Sequence, residues 1–480
     1  MGARYETVIG LEVHVQLSTA SKMFCACAVA FGGPPNTLTC PVCLGLPGSL
    51  PVLNRRAVEF GIRTALALGC AIHPESQFHR KNYYYPDLPK NYQISQYEYK
   101  DHPPLATGGV LRVSAGGDTR TVGIRRVHLE EDTGKLVHAE GRSLVDYNRS
   151  GTPLMEVVTE PDLRSPDEAR SFLGHLRATL QFAEVTSGRL EEGTFRCDAN
   201  LSLRLPDGPH GTRTEVKNMN SLRSVERALR FEEARQRQVL EQGGSITQET
   251  RHWDEDREIT FASREKEEAQ DYRYFPEPDL VPLRVDAAWV DRVRAELPEL
   301  PEARRRRYVD VLGLPEHDAT VLTATRAMAE FFERTAEAFP HPKVVSNWLI
   351  GDVAAYLNVV GREIDEVPIR PESLAGLLAL MDAGTVSGRS AKEVLEEMLR
   401  TGRPADAIVA ERGLVQISDE AMLARVVQDV IAEHPGPVAD VRAGKVQALT
   451  FLVGQVMKKT RGRANPSLAN RLIREQLRAG

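Results

Sequence analysis

The chain has 480 residues and carries 61 Lys and Arg against 67 Asp and Glu, which leaves a formal charge of −6. At about 100–200 residues per domain, this length predicts two to four domains, each with its own core. The composition, 41 % hydrophobic and 27 % charged, is typical of a globular protein and argues against long disordered segments. The mild acidity excludes attraction of nucleic acid by the molecule as a whole, so such binding would need a local basic face.

Neither export nor membrane insertion is expected from the first part of the chain. Met1–Leu17 lacks a basic segment followed by an apolar one, so we expect no secretory signal. Met23–Asn54 carries no charge, but its glycines and prolines, including the run Gly32–Pro35, would break a membrane-spanning helix. We therefore expect a cytoplasmic protein with reduced thiols.

Four of the six cysteines lie in one 19-residue window, as Cys25-Ala-Cys27 followed by Cys40-Pro-Val-Cys43. Four thiolates at this spacing can close a tetrahedral zinc knuckle between two short loops. The alternative is a group of buried or free thiols. A zinc site with four sulfur ligands would be structural, because no position remains for water or substrate. We expect the other two cysteines, which lie in apolar patterns, to be small core residues.

In chain order, the first ~290 residues show strand patterns interrupted by a few helices, and the remainder is almost wholly helical in pattern. Tyr5–Leu17 alternates between apolar and polar residues, with Val8 as the exception, and Phe195–Leu205 repeats this design. Strands with one polar face are typical of an antiparallel sheet, so we predict an α+β fold. Further candidate strands are Gly109–Ala115, Thr121–Glu130, Leu154–Thr159 and Thr212–Lys217.

Two helices are predicted within the sheet region. Ser165–Glu168 is a capping box with proline at the first helical position, which predicts that a helix begins there. The second helix runs from Ser221 to about Gln242, where Gly243 and Gly244 end it.

The sheet region ends in prolines, of which Pro298 and Pro301 indicate a linker or hinge. A last helical block begins near Asp406 and contains Met422–His434 and Val441–Lys459. We therefore predict three domains, which are residues 1–293 with the sheet, 294–405 as a helical domain, and 406–480 as a small helical tail.

Several common catalytic motifs are absent from the sequence. It contains no glycine-rich dinucleotide motif, no P-loop, no His-Glu-x-x-His and no Gly-x-Ser-x-Gly. A hydrolase built on an activated serine or cysteine is therefore not expected.

Carboxylates and imidazoles occur together on the predicted polar strand faces. Glu12 and His14 are two residues apart, so their side chains emerge side by side. His128 and Glu130 lie on one face of a second strand, with Glu131 close by if that strand bulges or ends there, and Asp198 lies on a third. Oxygen-rich sites with one or two imidazoles suit Mg²⁺ or Mn²⁺. The alternative is a set of charged residues on solvated strand faces.

Tyrosines are concentrated in one segment, Arg80–Tyr97. Six of the twelve tyrosines lie between positions 83 and 99, interleaved with Lys, Asn and Gln. Aromatic rings beside cationic groups suit stacking on a base together with phosphate contacts. The alternative is a tyrosine-rich loop that packs on the sheet.

The end of the chain is basic. Val441–Gly480 has nine Lys and Arg against one acidic residue, a charge of +8. Lys458–Pro466 ends a helix with a cationic loop suited to phosphates, and Arg304–Arg307 is a second basic run. Each run could also be a solvated helix face.

Several longer motifs resemble a known family. They are Gly10–His14, Cys25–Cys27, Cys40–Gly48, Lys81–Tyr97, His128–Lys135, Asp146–Leu154, Phe195–Asn200 and Asp271–Pro276. In this order they resemble the B subunits of the bacterial tRNA-dependent amidotransferases, GatCAB. The resemblance covers essentially the whole chain and includes a tail similar to YqeY proteins.

The resemblance implies a glutamine-synthetase-like cradle of antiparallel sheet, a helical domain and a YqeY-like tail. It also implies ATP-dependent phosphorylation of the side-chain carboxylate of Glu on tRNA(Gln) or Asp on tRNA(Asn). Ammonia, released from glutamine by an amidase (A) subunit, would then displace phosphate, and a small C subunit would complete a heterotrimer. The activity fits the residues, because a carboxylate accepts ammonia poorly until its oxygen becomes part of a phosphate leaving group.

The resemblance also implies cofactors and roles for single residues. ATP with Mg²⁺ and a structural Zn²⁺ are implied, with the four clustered cysteines as the zinc ligands. The Mg²⁺ ligands would be Glu12, His14, Glu130 and Glu131, which with Asp198 form the catalytic set. The expected substrate-binding residues are Lys81, Tyr83, Tyr85, Lys90 and Arg196. The expected tRNA-binding residues are Lys458, Lys459, Arg461 and Arg463.

Two other functions compete with this one. The chain could be a non-catalytic tRNA-binding scaffold, with the chemistry housed in a partner. It could also be a stand-alone ATP-dependent amide ligase for a small acid, although such a substrate needs no cationic tail.

Overall fold

The computed structural model describes residues 5–98, 102–115, 118–139, 141–190, 192–262, 272–416, 420–460 and 464–479. By its internal contacts the chain divides into two compact units, Met1–Pro301 and Glu302–Gly480. The prolines expected to form a hinge stand at this boundary. The predicted division into three domains stays a prediction.

The first unit combines many strands with a few helices. Its strands are β1 (Glu6–Gln16), β2 (Ala71–Ile72), β3 (Glu75–Ser76), β4 (Phe78–Asn82), β5 (Tyr92–Gln96), β6 (Ala106–Thr107), β7 (Val110–Ala115), β8 (Asp118–Glu131), β9 (Lys135–Ala139), β10 (Arg142–Asp146), β11 (Pro153–Thr159), β12 (Phe195–Arg204), β13 (Thr214–Met219), β14 (Glu249–Asp254), β15 (Ile259–Ala262), β16 (Phe275–Pro276) and β17 (Leu283–Arg284). Its helices are α1 (Arg55–Ala67), α2 (Pro166–Phe182), α3 (Leu222–Glu241) and α4 (Ala287–Ala295).

One large sheet organises this unit. Its main path runs β15-β14-β13-β12-β1-β11-β8-β5-β4-β16, with β6 and β7 paired to β8, and β2 paired to β6. The described pairings are antiparallel except β13 with β14, which is parallel. Parallel neighbours need a crossover connection, and α3 supplies it. The α+β prediction is confirmed, although the parallel pair was not predicted.

The two faces of the sheet differ as the alternation in β1 predicts. Ile9, Leu11, Val13 and Val15 are fully buried, while the residues between them are half-buried on the opposite face. Val8 lies on that opposite face and is nevertheless buried. The sheet therefore has one apolar face and one face that carries the polar side chains.

Helices cover the apolar face. Ser165 accepts a hydrogen bond from the backbone N–H of Glu168, so α2 begins where the capping box predicts. The apolar residues of α1, α2 and α3 join the inner residues of the sheet in one continuous core. Cys197 belongs to this core and Cys70 packs against it, as expected for small core residues. The polar face is thus left for function.

The second unit is helical, as predicted. Its helices are α5 (Pro301–Asp310), α6 (Glu316–Leu322), α7 (Arg326–Ala338), α8 (Pro342–Trp348), α9 (Ala354–Val360), α10 (Pro371–Asp382), α11 (Gly388–Thr401), α12 (Ala405–Glu411), α13 (Glu420–Glu433), α14 (Pro435–Arg442), α15 (Val446–Lys459) and α16 (Pro466–Ala479). A π-helical turn, Leu349–Val353, connects α8 to α9, and a 3₁₀ turn, Ile364–Glu366, precedes α10. Its buried apolar residues form two clusters, one from α5 to α12 and one from α13 to α16.

The helical pattern over Val441–Lys459 belongs to two helices, since α14 ends at Arg442 and α15 begins at Val446. Gly444 between them has a φ of +86°, a left-handed conformation that interrupts a helix. Among the described residues, none of the helices is both long and apolar enough to cross a membrane.

Candidate active site and metal sites

Four cysteine sulfurs converge in the loops between β1 and α1. This four-cysteine cluster consists of Cys25, Cys27, Cys40 and Cys43, whose Sγ atoms all lie within 4.8 Å of one another. The backbone N–H of Cys40 donates to Sγ of Cys43 at 3.2 Å, and that of Leu44 donates to the carbonyl of Cys40 at 3.1 Å. Two of the sulfurs come from this turn and two from Cys25–Cys27, and together they fit the tetrahedral ligand set that zinc prefers.

A buried cation lies beside the four-cysteine cluster. Lys22 is fully buried, and its Nζ lies 3.6 Å from Sγ of Cys43 and 3.3 Å from the carbonyl oxygen of Tyr147. A hydrogen bond with Cys25 lowers the pKa of Cys43 to about 4, with Lys22 contributing, and the same bond raises the pKa of Cys25. The ammonium therefore offsets part of the negative charge that thiolate ligands bring into the interior.

A second group of ligand atoms lies on the polar face of the sheet. His14 on β1, Glu156 on β11 and Glu130 on β8 form what we name the His14 cluster, with ligand atoms within 4.8 Å of one another. Register places His14 opposite Glu156 and Glu156 opposite His128. His14 Nδ1 lies 3.3 Å from Oε1 of Glu130, and His128 Nε2 lies 3.2 Å from Oε2 of Glu156. Three adjacent strands thus direct their polar residues to one point.

The opposite charges in the His14 cluster stabilise one another. Burial disfavours a proton on His14, but the hydrogen bond with Glu130 and the charges of Glu156 and Asp198 raise its pKa to about 9. Burial also disfavours the ionised form of Glu156, but attraction to His128 and His14 holds its pKa well below the usual range. A protonated imidazole therefore binds the carboxylates together at neutral pH. One imidazole with several carboxylate oxygens also fits the ligand preference of Mg²⁺ or Mn²⁺.

Two predicted catalytic residues border the His14 cluster. Glu12 accepts a hydrogen bond from Nδ2 of Asn200 at 3.1 Å, and burial and neighbouring carboxylates raise its pKa. Asp198 places Oδ2 4.0 Å from Nε2 of His14 and forms an ion pair with Lys217. Both carboxylates extend the acidic surface along β1 and β12.

Glu131 belongs to the predicted catalytic set, but its contacts lie outside the His14 cluster. It pairs with Lys90 and accepts a hydrogen bond from the backbone N–H of Ile94 at 3.0 Å. The same two charged residues line a cavity of about 190 Å³, together with Cys25 and Cys43. The structure therefore brings Lys90 and Glu131 together, next to the four-cysteine cluster.

Arg196 lies near the start of β12, close to the His14 cluster. Its Nη2 donates to Oδ2 of Asp132 at 3.0 Å, and Nε of Arg149 lies 3.4 Å from the same oxygen. Burial opposes ionisation of Asp132, but the two arginines outweigh it and lower its pKa. The carboxylate holds Arg196 in place, while about a third of the arginine side chain stays exposed. Such a cation can bind an anionic substrate group.

The predicted aromatic segment forms a group of rings. Nζ of Lys81 lies 4.8 Å from the ring centroid of Tyr272 and 5.9 Å from that of Tyr83. Tyr274 stacks on Tyr97 at 3.9 Å. Two of these tyrosines come from the segment after β15, which the sequence did not connect with this group. Tyr85, also predicted, is largely exposed.

The predicted tRNA-binding residues of the tail differ in whether they form ion pairs. Lys458 is exposed, whereas Lys459 pairs with Glu433 at 2.6 Å. Arg461 and Arg463 lie outside the described residues, as does Asp271 of the family motifs. A shallow cavity of about 620 Å³ along α15 and α16 is lined by Arg471, Arg474 and Arg478.

Glu156 is the site residue that sequence reasoning missed. It is the only acidic residue in β11, and all seven residues of that strand are buried. A single charge in an otherwise apolar central strand is costly to bury without partners, which is a signal that could have been used. His128, whose Nε2 lies 3.2 Å from Oε2 of Glu156, was placed on the polar face with Glu130 by the sequence but was given no catalytic role.

Comparisons with known proteins agree with the motifs. The family described as the GatB/GatE catalytic domain matches residues 7–291, and the GatB domain matches residues 330–477. The chain is 58 % identical to the B subunit of an aspartyl/glutamyl-tRNA(Asn/Gln) amidotransferase from Moorella thermoacetica, over 98 % of this chain and 100 % of the relative. B subunits of the same name from Carboxydothermus hydrogenoformans and Geotalea daltonii are 53 % and 51 % identical, over 98 % of this chain and 99 % of each relative. The chain therefore belongs to the family of aspartyl/glutamyl-tRNA(Asn/Gln) amidotransferase B subunits.

Proposed function

We propose that this chain acts in the cytoplasm as the B subunit of a glutamine-dependent tRNA amidotransferase. It phosphorylates the side-chain carboxylate of Glu on tRNA(Gln) or Asp on tRNA(Asn) with ATP, and it amidates that group with ammonia. An amidase subunit supplies the ammonia, and a small C subunit completes the heterotrimer. The observation that carries the proposal is the convergence of His14, Glu130 and Glu156 on the polar face of the sheet.

The reaction has two steps. A side-chain carboxylate oxygen attacks the γ-phosphorus of ATP, the bond to the β-phosphate oxygen breaks, and ADP leaves. Ammonia then attacks the carbon of the acyl phosphate and a C–N bond forms. Phosphate leaves with the C–O electron pair and takes up the proton that the nitrogen loses. Phosphoryl transfer depends on the positioning of the two reactants and on neutralisation of the phosphate charge.

The His14 cluster is the place where this chain would hold Mg²⁺, with Glu12 and Asp198 beside it. The bound ion would neutralise phosphate charge during transfer. His128 and Ser95 orient the carboxylates, because His128 Nε2 lies 3.2 Å from Glu156 and Ser95 Oγ donates to Glu130 at 3.3 Å.

Arg196 is suited to the acceptor carboxylate. It lies opposite His14 in the sheet register, and Asp132 fixes its guanidinium. A guanidinium can bind a carboxylate through two parallel hydrogen bonds, which would align the attacking oxygen. The tyrosines around Lys81 offer stacking surfaces for the terminal bases of tRNA.

The four-cysteine cluster would hold Zn²⁺ in a structural role, and the basic tail would bind the tRNA backbone. Cationic side chains on α15 and α16 can contact backbone phosphates, which is the role that the sequence predicts for the tail.

The test is the chemistry of two glutamine variants. Glu130→Gln and Glu156→Gln should each lower ATP-dependent amidation of Glu-tRNA(Gln) by at least about a hundredfold, the scale lost with a charge-neutralising metal. Hydroxylamine trapping of the acyl phosphate should fall in parallel, whereas glutamine hydrolysis by the amidase partner should persist.

Glu6→Gln is the matched control, because Glu6 lies on the same polar face of β1 but pairs with Arg204 away from the cluster. Amidation close to wild type in both cluster variants would remove the catalytic assignment and leave the tRNA-binding scaffold as the better function.

A further inference from the structure

The four-cysteine cluster borders the cavity of about 190 Å³, a space that holds several molecules of the size of water. Cys25 and Cys43 line this cavity, whereas Cys27 and Cys40 are not among the described residues of its wall. Leu46 also lines it and is 49 % exposed, so the cavity reaches the protein surface on that side. A small molecule can therefore reach the sulfur of Cys43, although only 3 % of this residue is exposed.

Two hydrogen-bond donors lie against the sulfur of Cys43. Nζ of Lys22 lies 3.6 Å from this Sγ, and the backbone N–H of Cys40 donates to it at 3.2 Å. Both donors stabilise negative charge on the sulfur, and the thiolate is the form of cysteine that attacks an oxidant. Because Lys22 is fully buried, its ammonium is held beside Cys43. Cys43 thus combines access from the cavity with a stabilised thiolate.

A second sulfur lies next to Cys43 and off the cavity. Sγ of Cys40 lies 3.9 Å from Sγ of Cys43, within the turn Cys40-Pro-Val-Cys43. Cysteines at this spacing form the disulfides of thiol–disulfide oxidoreductases. Displacement at sulfur requires the attacking and leaving groups to lie on opposite sides of the sulfur. Cys40 can approach from a side other than the cavity, which suits the displacement of a group that was transferred from the cavity.

We propose that Cys43 is a site of oxidation by hydrogen peroxide and that Cys40 converts the oxidised sulfur into a disulfide. The Cys43 thiolate attacks one peroxide oxygen, an S–O bond forms, and the O–O bond breaks. The product is a sulfenic acid, and the departing hydroxide takes up a proton. The Cys40 thiolate then attacks the Cys43 sulfur, an S–S bond forms, and the S–O bond breaks. The second hydroxide is also protonated, so two electrons pass from the sulfurs to peroxide and two waters form.

The inference goes beyond amidation, but it rests on the zinc assignment within the proposed function. A disulfide between Cys40 and Cys43 leaves the cluster with two thiolates, whereas a structural zinc site needs four ligands. Oxidation should therefore release the ion and loosen the loops that carry the cysteines. Disulfides of cytosolic proteins are usually transient, so a thiol reductant should reverse the change.

Treatment of the purified full chain with hydrogen peroxide tests the proposal. Peptide mapping without reductant should find the disulfide between Cys40 and Cys43, and a chromogenic chelator should detect the release of about one zinc ion per chain. Dithiothreitol with added ZnCl₂ should restore the thiols and the bound ion. In Cys40→Ser, the sulfenic acid should persist on Cys43 and react with dimedone.

A variant at the rim of the cavity tests the route of the oxidant while all four cysteines stay in place. Leu46→Trp should slow disulfide formation severalfold, because a larger side chain narrows the path to Cys43. Leu144→Trp is the matched control, since Leu144 is also apolar and exposed but lies on β10, outside the described wall of the cavity. Equal oxidation rates in the two variants would show that the cavity is not the route, and the inference would fail.

The outcomes separate this inference from the proposed function. If zinc is present but peroxide spares Cys43, or joins it to a cysteine other than Cys40, only this inference fails. If the purified chain contains no zinc, the zinc assignment fails, and the disulfide map by itself still decides whether Cys43 and Cys40 are the oxidised pair.

Discussion

The imidazole of His14 lies among the carboxylates of Glu130, Glu156 and Asp198, so a proton and a metal ion compete for this residue. Hydrogen bonding to Glu130 and the surrounding negative charge raise its pKa to about 9 despite burial. Since the folded pKa exceeds the ordinary value of 6.5, the proton stabilises the metal-free fold below pH 6.5. That contribution is lost as the pH rises through about 9.

The affinity of the His14 cluster for a metal ion should instead increase as the pH rises. A ligand imidazole must be neutral, so binding at pH 7 expels a proton from His14. The affinity for Mn²⁺ should therefore rise about tenfold for each pH unit between pH 7 and the pKa of about 9. Calorimetry in two buffers of different ionisation enthalpy should show release of about one proton for each ion bound.

His14→Asn is the control for this pH dependence, because asparagine has no proton to lose in this range. Its Mn²⁺ affinity should be weaker and nearly independent of pH. Equal affinity of the wild-type chain at pH 7 and pH 9 would contradict the ligand role of His14.

At the scale of elements, the four-cysteine cluster links two loops between β1 and α1, and Lys22 is buried beside it. The cluster is closed to substrate when all four ligands are sulfur. Its loss should therefore disturb the local fold more than the chemistry on the sheet.

The purified chain should contain about one zinc ion, as expected for a site with four sulfur ligands. Cys40→Ser combined with Cys43→Ser should remove the metal and make residues 21–53 sensitive to proteolysis, because one loop of the cluster loses its cross-link. Elemental analysis and limited proteolysis under reducing, chelator-free conditions measure both effects. Cys70→Ala, outside the cluster, should keep the zinc, and a wild-type chain without zinc would refute the assignment.

At the scale of the whole molecule, an acidic chain carries a basic tail. Deletion of Val441–Gly480 would be a poor test of this tail, because α15 and α16 cover Leu423, Val427 and Val430 of α13 in one hydrophobic cluster. Removal of charge without removal of helices is the cleaner experiment. Lys458, Arg474 and Arg478 are suitable, since none of them forms an ion pair with a described residue.

Lys458→Gln, Arg474→Gln and Arg478→Gln together should weaken tRNA binding and flatten its dependence on salt. Each lost phosphate contact lowers the slope of log affinity against log salt by about 0.7–0.9, so the slope should fall by about 2 to 3. KM for charged tRNA should rise while kcat at saturation changes little. This pattern is expected when the lost interaction stabilises the ground state and the transition state equally.

Lys445→Gln is the control for this triple variant, because Lys445 already pairs with Asp440 at 2.9 Å. Filter binding at two salt concentrations makes the comparison. Equal slopes for wild-type and triple-variant chains would show that these cations do not contact tRNA.

The sequence by itself determined the features that depend on residues close together along the chain. The period of two in β1 and β12 placed Glu12, His14 and Asp198 on a polar face, because alternate side chains of a strand must point the same way. The capping box at Ser165 located the start of α2, since its side chain can satisfy a backbone donor only there. The spacing of the four cysteines likewise predicted their convergence.

Only the tertiary structure decided which faces meet. The neighbours of a strand depend on sheet order and register. β11 lies between β1 and β8 in the sheet, and β1 is far from both β8 and β11 along the chain. That order brings Glu156 to His14. Glu131 follows Glu130 in β8, so its side chain lies on the other face of the sheet, where it pairs with Lys90. A cavity of about 680 Å³ beside Gly10 arises in the same way, because four strands and the loop before β13 line it. Contacts between residues distant in sequence depend on the packing of the whole sheet, and no local pattern encodes them.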